Sequence, residues 1–258
     1  MSRRIGLIVP SSNVTMETEL PEMFGRRPER FTFHSARMRM TAVTPEALAA
    51  MNAQGERCAT ELADAQCDVL AYACLVAVMA AGPGAHQGAA TTLTAAAGGR
   101  TPVVTSAGAM IDGITALGVS RVAMIAPYAP ALTGKVVDYL ADAGITVVDS
   151  ISLGVTDNCA VGRLDPTNLV TLTDRLDLAE AEAVVLSACV QMPSLAAIEA
   201  AEQRTGLPTL SAATATTREL LLTLGLAPVV PRAGALLAGR GAARSTSSEY
   251  RAMTPAAS

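Results

Sequence analysis

The chain has 258 residues, half of them hydrophobic and only 16% charged, with a net charge of −4. That length supports one large or two small domains with a sizeable core, and the weak negative charge sets nucleic acid aside as a partner. Aromatic residues are scarce, with no Trp, three Phe and four Tyr, so Ala, Val, Leu and Gly must fill the interior.

In chain order, "MSRRIGLIVPSSN" carries two arginines and five apolar residues before Pro10. That is too short for a signal-peptide core. Short apolar runs follow at 5–9, 31–36, 69–73, 102–105, 122–126, 146–151, 183–188 and 209–211. Between them lie Ala-rich periodic segments such as "TPEALAAMNAQGERCATELADA" (44–65) and "PTNLVTLTDRLDLAEA" (166–181), read as helices. Apolar strands alternating with helices predict parallel sheets covered on both faces. The uncharged stretch 69–99 invites a membrane reading. Its dense part, 69–81, ends in Gly82-Pro83-Gly84 and is too short for the ~20 residues of a span. The expectation is a soluble, cytoplasmic protein without membrane contact.

The order of motifs repeats. "RRIGLIVPSSN" matches "SRVAMIAPYAP", "CDVLAYACLV" matches "EAVVLSACVQ", and "GRTPVVTSAGAMIDGITALG" matches "TGLPTLSAATATTRELLLTLG". A repeat of ~100 residues is too long for a solenoid and predicts a duplicated α/β unit. The fold expected is two pseudo-symmetric Rossmann-like halves, each a four-stranded parallel sheet flanked by helices, with the site in the cleft between them. Ligands of such sheets bind at the strand carboxyl ends. The first half takes residues 1–112 plus about 213–240, the second takes 113–212, and 241–258 forms an extended or disordered tail.

The five cysteines stand at 58, 67, 74, 159 and 189, with no CxxC pair and two histidines, His34 and His86. Zinc and a disulfide framework are therefore not expected. Cys58 and Cys67 read as packing, since free cysteine is among the most buried residue types. His34 and His86 read as structural or surface residues. Cys74 and Cys189 differ, because both follow equivalent strands and precede a candidate helix. A thiol at a helix N-terminus is expected to have a lowered pKa. Facing thiols across a cleft suit acid–base or covalent chemistry at carbon.

The paired cysteines resemble the aspartate/glutamate/hydantoin racemase superfamily. Together, "VPSSNVTMETE", "YACLVAVMAAGPGAH", "APY", "VTDN" and "SACVQMP" resemble its maleate cis–trans isomerases over residues 5 to about 225. Arylmalonate decarboxylase resembles the chain only in the second half, lacking the first cysteine. The resemblance implies Cys74 as nucleophile and Cys189 as acid or proton donor. Asn13, Tyr128 and Asn158 would hold the substrate carboxylates, with the backbone amides of Leu75, Val76, Val190 and Gln191. Arg37 and Arg39 flank the second strand and are equally readable as solvated surface. The implied reaction needs no cofactor. A thiolate adds to the C=C bond of maleate, the central bond rotates, and elimination gives fumarate. A two-cysteine amino-acid or hydantoin racemase and a non-catalytic carboxylate-binding protein stay open as alternatives. Composition favours a homodimer.

Overall fold

The computed structural model describes residues 2–40 and 45–239; the tail expected at 241–258 lies outside them. The first half runs β1 (Arg3–Pro10), α1 (Met16–Gly25), β2 (Phe31–Met38), α2 (Pro45–Asn52), α3 (Gly55–Asp64), β3 (Val69–Tyr72), α4 (Leu75–Met79), α5 (Ala85–Ala96), β4 (Val103–Thr105) and α6 (Ser106–Ala116). The second runs β5 (Arg121–Ala126), α7 (Pro130–Asp142), β6 (Thr146–Ser152), α8 (Asn158–Val161), α9 (Thr167–Leu172), β7 (Ala183–Ser187), α10 (Ile198–Thr205) and β8 (Thr209–Ser211), and α11 (Ala212–Thr223) follows it and packs mainly against first-half elements.

Each half forms one four-stranded parallel sheet, ordered β2-β1-β3-β4 and β6-β5-β7-β8. Strands β3 and β7 are buried along their whole length, which is why they read as unbroken apolar runs. Gly6 is fixed by close packing in β1. A Cβ there would lie 2.4 Å from Leu70 Cδ2 and 3.3 Å from Cys67 Sγ. Cys58 and Cys67 are both buried, and burial pushes both thiols up.

Three expected helices differ from the chain. The described part of segment 44–65 is two helices, because the Gln54 side chain bonds Arg39 N and O and the Ala50 carbonyl, pinning a turn at Ala53 and Gln54. Segment 166–181 is helical only to Leu172, then one 3₁₀ turn, Thr173–Arg175. Beyond it Leu176 is extended, with Asp149 accepting the Asp177 N–H. After Cys189 there is a turn rather than a helix. Pro193 disfavours helical backbone at Met192, and only a 3₁₀ turn at Leu195–Ala197 leads into α10.

The halves meet through α6 and α11, where Thr216 Oγ1 donates to Ser106 Oγ at 2.9 Å. Helix α11 also lies against α1, β3 and β4. The chain beyond it is strapped to the first half by arginines. Arg3 donates to Leu224 O at 2.7 Å, Arg27 to Ala227 O at 2.9 Å and Arg26 to Pro231 O at 3.2 Å. The segments that follow β1 and β7 meet across the two halves, where Asn13 Nδ2 donates to Val190 O at 3.4 Å and Thr15 Oγ1 to Gln191 O at 2.7 Å.

Candidate active site

Cys74 sits two residues beyond β3. The Ala73 N–H still bonds Ile8 O at 2.9 Å, so the sheet holds the chain until the residue before the thiol. Cys74 then occupies the N-cap of α4 at φ −144° and ψ 88°. Its pKa is pushed up to about 12, first by burial, against the pull of the Ala77 amide and with a further push from Cys189. The expected lowering by the helix terminus is therefore overturned for the free protein. Helix α4 has only five residues, and losing water from around the anion outweighs the amides it offers.

Cys189 sits two residues beyond β7 in the same way, with Ala188 N–H on Ile125 O at 3.0 Å. Its turn is closed by the buried Ser187 hydroxyl, within reach of Cys189 O at 2.9 Å and Met192 O at 3.3 Å. Gln191 N–H points at Cys189 Sγ at 3.4 Å. Burial raises this thiol too, opposed by the Tyr128 hydroxyl and the Gln191 and Met192 amides. Tyr128 is buried beside it, two residues beyond β5, and its hydroxyl lies 3.2 Å from Ala188 O. Burial holds the phenol well above its ordinary pKa, and both Cys189 and Cys74 push it further. The two thiols and the phenol are thus buried within electrostatic reach of one another.

Asn13 and Asn158 lie across the seam between halves. Asn13 is fully buried; its Oδ1 accepts Met16 N–H at 3.2 Å and its Nδ2 reaches Val190 O at 3.4 Å. Asn158 donates to Ser12 Oγ, and Gln191 Nε2 donates to the Asn158 carbonyl and, at 3.4 Å, to Ser12 O. Leu75 and Val76 open α4, where first-turn amides have no partner within the helix. The two arginines do not join them. Arg37 donates to Ser11 O and Asn13 O, both at 3.0 Å, and pairs with Glu17. It holds the loop that carries Asn13. Arg39 is exposed.

Sequence reasoning missed Ser12, Thr15, Glu19 and Ser187. Thr15 Oγ1 donates to Gln191 O at 2.7 Å, and Glu19 Oε1 accepts Ser194 N–H at 2.6 Å and Leu195 N–H at 2.7 Å. "ETE" at 17–19 reads as a helix start with acids near the positive end. Both acids do lie in the first turn of α1; Glu17 also pairs with Arg37, and Glu19 is buried. Spacing offered one signal: Thr15 and Glu19 are four apart, on one face of α1. His86 also has a partner, with Nδ1 2.6 Å from the Tyr139 hydroxyl.

Two parallel-sheet lobes with a thiol beyond an equivalent strand in each define a class of two-lobed α/β proteins. The family model described as arylmalonate decarboxylase matches residues 5–237. The resemblance to that enzyme is thus not confined to the second half, because the shared architecture extends through both lobes. Maleate isomerase of Geobacillus stearothermophilus is 55% identical over 245 residues, spanning 92% of this chain and 98% of that protein. The maleate isomerase of Pseudomonas putida solved with maleate, as an alanine-for-cysteine variant, superposes with a TM-score of 0.91 at 49% identity. It covers 93% of this chain and 99% of its own. A serine-for-cysteine variant of Nocardia farcinica maleate cis–trans isomerase, with a covalently bound succinylcysteine intermediate, gives a TM-score of 0.89 at 49% identity. It covers 92% and 98%. The chain belongs to the maleate isomerase family.

Proposed function

We propose that this protein converts maleate to fumarate, with Cys74 as nucleophile and Cys189 as proton donor. The observation that carries the reading is the pair of buried thiols beyond β3 and β7, with the Tyr128 hydroxyl in electrostatic reach of both.

The free site keeps both thiols protonated, so Cys74 gives up its proton as substrate arrives. A carboxylate of the dianion is the base that the reaction itself brings. The Cys74 sulfur then forms a bond to one olefinic carbon, and the π pair moves toward the far carboxylate. The π pair moving onto the far carboxylate builds negative charge away from bulk water, and that charge needs donors already in place. The amides of Leu75, Val76, Val190 and Gln191, the Tyr128 hydroxyl and the side chains of Asn13 and Asn158 supply them, each worth ~3 kcal/mol if used in the transition state. Each Asn side chain has a second N–H beyond the one spent across the seam. Transfer of the Cys189 proton to the adjacent carbon gives a succinyl adduct on Cys74. With the central bond now single, rotation separates the carboxylates. Cys189 recovers its proton, the S–C bond breaks, the carboxylate returns its proton to the Cys74 sulfur, and fumarate leaves.

Proton NMR of a maleate solution tests this, with fumarate appearing for the native chain and none for Cys74→Ala. Undiminished turnover in that variant removes the mechanism. A homodimer acting in the cytoplasm belongs to the same reading. A monomer mass by light scattering removes the first part, and recovery outside the cytoplasmic fraction removes the second.

A further inference from the structure

Two polar contacts across the seam have the same form in opposite directions. Helix α1 follows the first strand of the first half, and α7 follows the first strand of the second. From α1, the buried Glu19 accepts the N–H groups of Ser194 and Leu195 at 2.6 and 2.7 Å, and its other oxygen meets Ser194 Oγ at 3.4 Å. Those amides open the helical segment that follows Cys189. From α7, the buried Tyr139 hydroxyl accepts the His86 N–H at 3.1 Å and lies 2.6 Å from His86 Nδ1. His86 is the second residue of α5, the helix that follows Cys74 through α4.

Neither helical segment caps its own start. The residues flanking the two starts, Gly84 and Ser194, make no side-chain cap bond. First-turn amides need an acceptor; the Ala85 N–H finds Gly82 O within its own lobe at 3.2 Å, while the His86, Ser194 and Leu195 amides are met from the other lobe. Thr15, one turn before Glu19, adds a bond to Gln191 O at 2.7 Å, between Cys189 and the capped residues.

We infer that Glu19 and Tyr139 are reciprocal positioning residues: each lobe holds the other lobe's cysteine loop by capping the helix beyond it, which fixes the two thiols relative to one another. The catalytic importance of that spacing rests on the isomerase reading; the crossed pattern of restraint does not. The requirement at position 19 is for an acceptor rather than a charge. A glutamine in place of Glu19 presents a carbonyl oxygen to both amides and an N–H to the Ser194 hydroxyl.

The test is peptide-resolved alkylation by N-ethylmaleimide, without substrate, in Glu19→Met, Glu19→Gln and Tyr139→Phe, alongside steady-state kinetics. Loss of one buried hydrogen bond eases local opening by roughly tenfold. Glu19→Met, which removes three such contacts, should therefore speed modification of Cys189 by at least that factor and leave Cys74 unchanged. Tyr139→Phe should speed Cys74 and leave Cys189 unchanged. In both, kcat should fall about ten- to a hundredfold, as displaced reacting groups do, with KM little moved, while Glu19→Gln keeps native rates. Equal changes at both thiols, a response in the same lobe, or no response overturns the inference. Tyr139→Phe loses only one hydroxyl, so it keeps the test alive if Glu19→Met does not fold. Crossed alkylation in a chain that makes no fumarate would remove the isomerase reading and leave the reciprocal restraint standing.

Discussion

Raising the pH over the free protein probes the state in which Cys74 waits. Its thiol moves from an ordinary value of 9.0 to about 12, and burial is the leading cause. Three pKa units correspond to about 4 kcal/mol against the anion. At pH 7 roughly one molecule in 10⁵ then carries a thiolate at this position. Alkylation of Cys74 by N-ethylmaleimide, read by peptide mass spectrometry, should be slow at pH 7. It should rise about tenfold per pH unit without levelling before pH 10. The same shift sets a stability trend. The folded pKa lies above the unfolded one, so Cys74 contributes stability that is fully present below about pH 9. That contribution is lost as pH rises toward 12, at no more than about 1.4 kcal/mol per unit. Urea melts from pH 8 to 10.5 should show this slope for the native chain and a shallower one for Cys74→Ala. An alkylation rate that plateaus near pH 7 would refute the reasoning, because it would mean a preformed thiolate that burial does not suppress.

Tyr128→Phe removes the hydroxyl that stabilises the Cys189 anion, so alkylation of Cys189 should shift to higher pH and kcat should drop by about 10²-fold. Gly6→Ala drives a Cβ into Leu70, whose Cδ2 would lie 2.4 Å away. It should cost about 1–3 kcal/mol by overpacking, seen as a lower urea midpoint with an unchanged m-value. Burial raises the Glu19 pKa against its backbone partners, so the folded state favours the protonated acid. That contribution is present below the ordinary carboxylate range and fades as pH rises through the raised value. Glu19→Gln should therefore gain stability relative to the native chain between pH 4 and pH 7, in parallel urea titrations; a constant difference would count against it.

The strands were legible as short runs alternating with helical segments, β3 and β7 most of all because they are buried throughout, whereas β2 and β6 are sheet edges and only partly covered. Pairing Cys74 with Cys189 needed only the repeated motif order. The helix expected after Cys189 is a turn, because Pro193 disfavours helical backbone at Met192 and only a 3₁₀ turn leads into α10. Glu19 was not legible as a cross-lobe cap. Its partners, Ser194 and Leu195, lie 175 and 176 residues away, and nothing local separates it from Glu17. The thiol pKa values were misjudged for a similar reason. The sequence displays the helix terminus that lowers a pKa, but the burial that raises it exists only once both lobes have closed around the site.

The central claim is that Cys74 forms a covalent bond to the substrate carbon and that Cys189 moves the proton. The most direct measurement is intact and peptide mass spectrometry of the Cys189→Ser variant after incubation with maleate. The account predicts a mass gain of one maleic acid, localised to the Cys74 peptide and absent from a Cys74→Ala, Cys189→Ser double variant. Fumarate production with an adduct on a different cysteine, or full turnover by Cys74→Ala, would contradict it.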